Sequence, residues 1–202
     1  MIHTVIFDIG NVLVKFDWRP YIQSAFDEET ARVVSDAIWK SGYWEEFDRG
    51  VLSDAEIVRL MEEAAPEYKR EIHMALESAG EYLSKFDYAI PWVKSLKELG
   101  YQVVYLSNYG EFLLKMKPEV LDFLPYMDGG LFSCHAKVIK PDLAIYEMLC
   151  GKYNLKPEEC LFIDDNKANV EAARSFGMHA IRFEGYEQSH DAVMNYLKEK
   201  NN

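Results

Sequence analysis

Four short stretches of this chain carry residue types that chemistry uses, and each stands where an apolar run gives way to polar residues. In VIFDIGNVLV the carboxylate of Asp8 closes a β-rich run, and in Leu106-Ser107-Asn108 a hydroxyl and an amide stand side by side. Lys140-Pro141 precedes a helical pattern that begins at Asp142, and FIDDNKAN sets Asp164 beside Asp165, with Asn169 near the start of the next helix. Taken singly, most of these have structural readings. A strand-terminal Asp is also a turn or helix cap, Ser-Asn after a strand has the composition of a turn, and a lone Lys is a surface charge, with Pro141 suited to the first turn of a helix. The paired Asp is different, because two ionised carboxylates at the end of an apolar strand repel one another and are costly without a cation. Oxygen-only donors favour a hard cation, and Mg²⁺ takes one or two carboxylates together with water and substrate phosphate.

The elements that position these residues follow from hydrophobic pattern. Short runs at Thr4 to Phe7, Gln102 to Leu106, Gly130 to Cys134, Cys160 to Ile163 and His179 to Phe183 alternate with longer amphipathic segments. Among the latter are Asp142 to Tyr153, Lys167 to Phe176 and Ser189 to Lys200. The alternation predicts an α/β fold with a mainly parallel sheet of five strands joined by crossover helices. Open sheets of this class bind ligands at the carboxyl ends of their strands, and Asp8, Ser107 and the Asp164-Asp165 pair all stand there.

Residues 19-86 break the alternation, with helical periodicity and hardly any strand signal. Ser53 and Glu56 have capping-box spacing at the head of a helix whose apolar face holds Ile57, Leu60 and Met61. The expected organisation is a core of 1-18 and 87-202 carrying an inserted helical cap, 19-86, hinged near Lys15 to Trp18 and Phe86 to Ile90.

At 202 residues the chain buries one good core and is short for two independent domains. Its net charge of -12 argues against broad binding to nucleic acid or anionic lipid, since counterion release needs a basic surface. Cys134, Cys150 and Cys160 are odd in number and lack CxxC spacing, which predicts reduced, buried thiols in a reducing compartment. The start, MIHTVIFD, reads as a strand rather than a leader, and no apolar run approaches the roughly 20 residues of a membrane span. A cytoplasmic protein with no membrane or nucleic-acid partner is expected, and a monomer is the working expectation for its oligomeric state. None of the five His residues has ligand spacing.

The order of the four stretches resembles the haloacid dehalogenase superfamily, whose motifs run in this order. The resemblance covers the whole chain, with the helical insert in the place of that family's first type of cap. It implies a Rossmann-like three-layer core and a Mg²⁺-dependent phosphatase acting on a small phosphorylated metabolite, such as a sugar phosphate. By the same resemblance Asp8 is the nucleophile that forms an aspartyl-phosphate, Ser107 and Asn108 orient the phosphate, and Lys140 steadies both. Mg²⁺ falls to Asp165 supported by Asp164, with the Asp8 carboxylate and the Gly10 carbonyl, and Asn169 stands behind them. The chemistry is sound independently of the family. Phosphoryl transfer needs mostly positioning and charge neutralisation, and a carboxylate nucleophile splits hydrolysis into two steps.

One position departs from the family. Most of its phosphatases read D-x-D at the first motif, the second Asp serving as general acid and base, whereas this chain has Asp8-Ile9-Gly10. Such assistance is worth roughly 10²- to 10⁴-fold. FDIGNVLV and FIDDNKAN also resemble a subgroup that includes the bacterial α-D-glucose-1-phosphate phosphatase and the amino-terminal phosphatase domain of soluble epoxide hydrolase. Without the second Asp, leaving groups of low pKa are favoured, unless a cap residue such as Glu45 or Asp48 activates water. In GYWEEFDRG, Trp44 and Phe47 are candidates to pack on a substrate and Arg49 to meet an anion, or the aromatics anchor cap helices. Trp18, Arg19 and Tyr21 near the hinge share that ambiguity. The rival readings are a 2-haloacid dehalogenase, which needs no metal and generally has neutral residues at the Asp164-Asp165 positions, and a phosphate-binding regulatory protein that has lost turnover.

Overall fold

The computed structural model describes residues 1–201, so position 202, where the core is expected to close, lies outside the described residues. The first half runs β1 (Thr4–Phe7), β2 (Val14–Phe16), α1 (Arg19–Ala25), α2 (Glu28–Ser35), α3 (Tyr43–Arg49), α4 (Asp54–Ala64), α5 (Lys69–Glu77), β3 (Leu83–Lys85) and α6 (Ala89–Glu98). The second runs β4 (Gln102–Ser107), α7 (Glu111–Met116), β5 (Gly129–Phe132), α8 (Ser133–Ala136), α9 (Leu143–Tyr153), β6 (Cys160–Asp164), α10 (Lys167–Ser175), β7 (His179–Arg182) and α11 (Tyr186–Asn201).

Five strands form one parallel sheet in the order β5-β4-β1-β6-β7. Every residue of β1 and β6 is buried, as expected of strands covered on both faces. The two-residue period of a strand divides them between two apolar clusters. Val5, Phe7, Leu161 and Ile163 meet Trp92, Val93 and Leu96 of α6 and Val193 and Leu197 of α11. Ile6 and Phe162 meet Ile145, Tyr146 and Leu149 of α9 and Val170 and Ala173 of α10. This is the three-layer α/β arrangement. Phe7 pairs with both Tyr105 and Ile163, so Asp8, one residue on, stands level with Leu106 and Asp164.

α1 to α5 share a third cluster, which includes Ile22, Ile38, Phe47, Ile57 and Met61. The capping box is formed, the Ser53 Oγ accepting from Glu56 N and the Glu56 carboxylate from Ser53 N. Ile57 and Met61 are buried, and Leu60 is half-buried.

Several expectations change in detail. β4 and β6 each run one residue further, taking Ser107 and Asp164 into the sheet, while the third run stops at Phe132 because Ser133 opens α8. Pro141 is not in the first turn of a helix. α9 begins at Leu143 with the Asp142 side chain accepting from Ala144 N, and Pro141 precedes it across a cis peptide bond. An antiparallel ribbon, Val14 facing Lys85 and Phe16 facing Leu83, overlaps the first expected hinge with one strand and lies at the end of the insert expected to be helical with the other. Three-residue strands paired across some seventy residues leave no periodic trace. The three thiols are buried and unpaired. Among the described residues no helix is long and apolar enough to cross a membrane.

Candidate active site

Asp8 leaves β1 at the centre of the sheet, its main-chain N–H donating to Ile163 O at 2.8 Å. Its Oδ1 accepts from Ile9 N at 2.7 Å and lies 2.9 Å from Lys140 Nζ. The same ammonium lies 2.7 Å from Asp164 Oδ2. Lys140 is 2% exposed, Asp8 7% and Asp164 0%. Burial alone pushes the lysine pKa down, but the charges of Asp164 and Asp8 outweigh it and hold the ammonium above its usual range. Asp8 is raised, first by burial and then by Asp164 and Asp165, with Lys140 opposing.

Lys140 is positioned from both ends. The Asn108 side chain accepts from Lys140 N at 2.8 Å and donates to Lys140 O at 3.0 Å. At the far end Asn169 Nδ2 donates to both Asp164 oxygens, at 3.1 and 3.0 Å, and Asn166 N donates to Oδ1 at 2.8 Å. This assigns Asn108 a different contact from the one expected, since its amide group grips the lysine backbone. The Ser107 hydroxyl, at the carboxyl end of β4, is buried with no hydrogen-bond partner among the described residues. Leaving such a donor unmatched costs about 1–3 kcal/mol; Ser107 is fully buried and, unlike Asn108, does not border the cleft above the sheet edge.

Above this edge lies a cleft of about 250 Å³ bordered by Asp8, Gly10, Asn108, Lys140, Asp165 and Asn169 from the sheet edge. Phe16 of the ribbon and Trp44 and Asp48 of α3 border it as well. Trp44 lies 5.3 Å from Phe16 between ring centres and also packs on Phe47, so it serves both the cleft and the helical packing. Arg49 does not border the cleft, and its Nε meets Glu46 Oε1 at 3.2 Å, one turn back on α3. Glu45 is exposed and also outside the cleft. A second cavity of about 1030 Å³ shares Asn11 and Asn166 with the first and is bordered by Trp18, Arg19 and Trp39, the two indoles stacked at 4.1 Å.

Residues not singled out from sequence are Asn11, Tyr109 and Ser133. Asn11 holds a left-handed backbone (φ 55°) and its Oδ1 accepts from Phe16 N, tying the ribbon to the first motif. Its Asn-Val successor to Gly10 was the available signal, since Asn tolerates that conformation. Ser133 accepts from Tyr109 N at 2.9 Å and donates to Asp48 O at 2.6 Å. Nothing local marks it.

Asp8, Asp164 and Asp165 each offer an oxygen within 4.8 Å of the others. Three carboxylates against one lysine leave a surplus of negative charge, and Asp165 is raised by burial and by Asp164. Both oxygens of Asp164 are engaged by Lys140, Asn169 and Asn166, whereas Asp8 and Asp165 border the cleft. A divalent, oxygen-seeking cation fits this set. His135 and its sequence neighbour Cys134 also lie near Glu111, which the fold brings to them from 24 positions before His135 in the chain.

A family model described as haloacid dehalogenase-like hydrolase matches residues 2–177. The (S)-2-haloacid dehalogenase 4A of Burkholderia cepacia is 32% identical over 109 residues, which is 53% of this chain and 46% of that protein. A phosphorylated carbohydrates phosphatase of Thermotoga maritima is 28% identical over 189 residues, 88% of this chain and 82% of that protein. The chain spans 46%, 34% and 17% of the length of three curated relatives that it matches. Among solved structures, a HAD-family enzyme of Bacteroides thetaiotaomicron, in complex with magnesium and inorganic phosphate, superposes with a TM-score of 0.70 at 20% identity, over 93% of this chain and 98% of that one.

Proposed function

The chain belongs to the haloacid dehalogenase-like hydrolase family, and from that premise we propose that it is a Mg²⁺-dependent phosphatase of small phosphorylated metabolites, with sugar phosphates the first class to examine. The observation that carries the reading is the surplus of carboxylates around Lys140. Attack on a haloacid carbon has no use for that surplus, whereas a divalent cation and a phosphate dianion do. The similarity to the carbohydrate phosphatase of Thermotoga maritima, and the magnesium and phosphate in the Bacteroides enzyme, support it.

Asp8, Asp165 and the Gly10 carbonyl would hold Mg²⁺, which supplies charge neutralisation at the phosphate oxygens. The free oxygen of Asp8 attacks phosphorus, and the leaving oxygen departs in line. Lys140, fixed by Asn108 and by Asp164 with Asn169, keeps Asp8 correctly turned and faces the anionic group. Water then attacks the phosphorus of the aspartyl-phosphate, releasing phosphate and restoring Asp8. The helical insert acts as a cap, with Trp44 and Phe16 against the substrate body and the adjoining cavity as room for a larger one. Buried, unpaired thiols suit a reducing compartment such as the cytoplasm.

The test is release of inorganic phosphate from sugar 1-phosphates, sugar 6-phosphates and an aryl phosphate, with Mg²⁺ and with chelator. Mg²⁺-dependent turnover is expected, lost in Asp8→Asn with the fold intact. The similarity to the Burkholderia dehalogenase makes halide release from a 2-haloacid the counter-assay. Chelator-insensitive halide release with no phosphate release would overturn the phosphatase reading.

A further inference from the structure

At Gly10 the first motif carries no carboxylate, and a Cβ built there meets no atom within 4 Å. The space beside the nucleophile is therefore open to a proton donor from elsewhere. Asp48 borders the same cleft as Asp8, Gly10 and Lys140. The backbone that bears it is fastened to the core at several points. Ser133 Oγ donates to Asp48 O at 2.6 Å, and Lys137 Nζ donates to Gly50 O. A Cβ on Gly110 would lie 2.9 Å from Phe47 O, and one on Gly50 would lie 2.9 Å from Cys134 O. The main chain on either side of Asp48 thus approaches the core as closely as only glycine permits, which fixes where the carboxyl group stands.

We propose that Asp48 is the general acid and base of this enzyme, a carboxyl group delivered by the helical insert in place of the one that Gly10 lacks. The proposal rests on the phosphatase reading above. In the first step the Asp8 oxygen bonds to phosphorus, the bond from phosphorus to the leaving oxygen breaks, and Asp48 gives its proton to that oxygen. In the second, water bonds to phosphorus as the bond to Asp8 breaks, and Asp48 takes the proton that water loses. No proton or electron pair is left over.

The surroundings suit both roles. Burial, then the charges of Asp8 and Glu45, push Asp48 up to about 7, with the Gly110 amide and Lys140 pulling weakly the other way. Tyr109, which follows β4, and Cys134 of α8 face it as neutral groups, both held un-ionised chiefly by burial. Lys137 is engaged with Gly50 O, and Glu111 with His135 at 3.3 Å. A carboxyl that titrates near neutrality is matched to giving and retaking a proton.

The test compares unaltered protein with Asp48→Asn, in Mg²⁺, on 4-nitrophenyl phosphate and on an alkyl monoester such as a sugar 6-phosphate. The unaltered protein should depend little on leaving-group pKa. Asp48→Asn should lose about 10²- to 10⁴-fold on the alkyl ester. On the aryl ester it should release one nitrophenolate per site in a burst, followed by slow turnover, because breakdown of the aspartyl-phosphate has lost its base. Gly10→Asp, added to Asp48→Asn, should restore at least tenfold, and the limb of the pH profile near 7 should vanish in the single variant. Asp48→Asn kinetics like those of the unaltered protein overturn the proposal and leave the phosphatase reading standing. If that variant does not fold, a steep leaving-group dependence in the unaltered protein overturns it equally. Absence of any Mg²⁺-dependent phosphate release from the unaltered protein overturns both.

Discussion

Lys140 keeps its charge in a nearly dry position because Asp164 and Asp8 stand 2.7 and 2.9 Å from its ammonium. Removing it leaves two buried carboxylates facing each other. Lys140→Met should abolish turnover and, in the metal-free protein, cost about 3–5 kcal/mol at pH 8, the range for breaking a buried ion pair. The sign of the pH dependence follows from Asp8. Its folded pKa is raised above its unfolded value, so its contribution to stability is full below about 4 and is lost as pH rises. Without Lys140 that rise is larger, and the variant should regain most of the lost stability at pH 5. Urea titrations at the two pH values measure it. A deficit equal at both would mean that the lysine acts by packing alone.

At the scale of elements, α3 connects the helical insert to the chemistry. It presents Trp44 and Asp48 to the cleft while its Phe47 backbone approaches Gly110 too closely for any side chain there. Gly110→Ala should force α3 outward, costing about 1–3 kcal/mol and at least tenfold in kcat on alkyl phosphates. The matching control is Ser53→Ala, which loses the capping box of α4 and about 1 kcal/mol. Ser53 touches neither cleft nor sheet edge, so kcat should hold. Steady-state kinetics beside thermal melts separate the two effects. Equal activity loss in both variants would mean that stability alone, not the seat of α3, governs turnover.

For the whole molecule, an acidic chain of net charge -12 concentrates three carboxylates at one sheet edge. Asp8, Asp48 and Asp165 are all raised, so in the absence of metal their contribution to folding stability should fall as pH climbs from about 4 through 7. A bound cation reverses this by favouring the ionised forms. Mg²⁺ at a hundred times its Kd adds about 2.7 kcal/mol, or roughly 5–10 °C in Tm for a chain of this size. The rise should be larger at pH 8 than at pH 5.5, where protons compete for the same oxygens. Calorimetry with Mg²⁺ and with chelator checks it, and a shift independent of pH would place the cation away from these carboxylates.

The sequence by itself determined the α/β class, the five strands, the order of the four motifs and the paired carboxylates at Asp164-Asp165, because strand periodicity and strand-end position are local properties. Even the pairing of Arg49 with Glu46 was within reach, since residues three apart share a helix face. Other features needed the folded chain. The β2–β3 ribbon, the grip of Asn108 on Lys140 and the bond from Ser133 to Asp48 join residues 32 to 85 positions apart, and no local pattern records such a contact. Glu45 and Asp48 are equal candidates in GYWEEFDRG. The rotation of α3 against the core leaves Glu45 exposed and turns Asp48 into the cleft, and that rotation is set by the close approach of its backbone to Gly110 and Ser133.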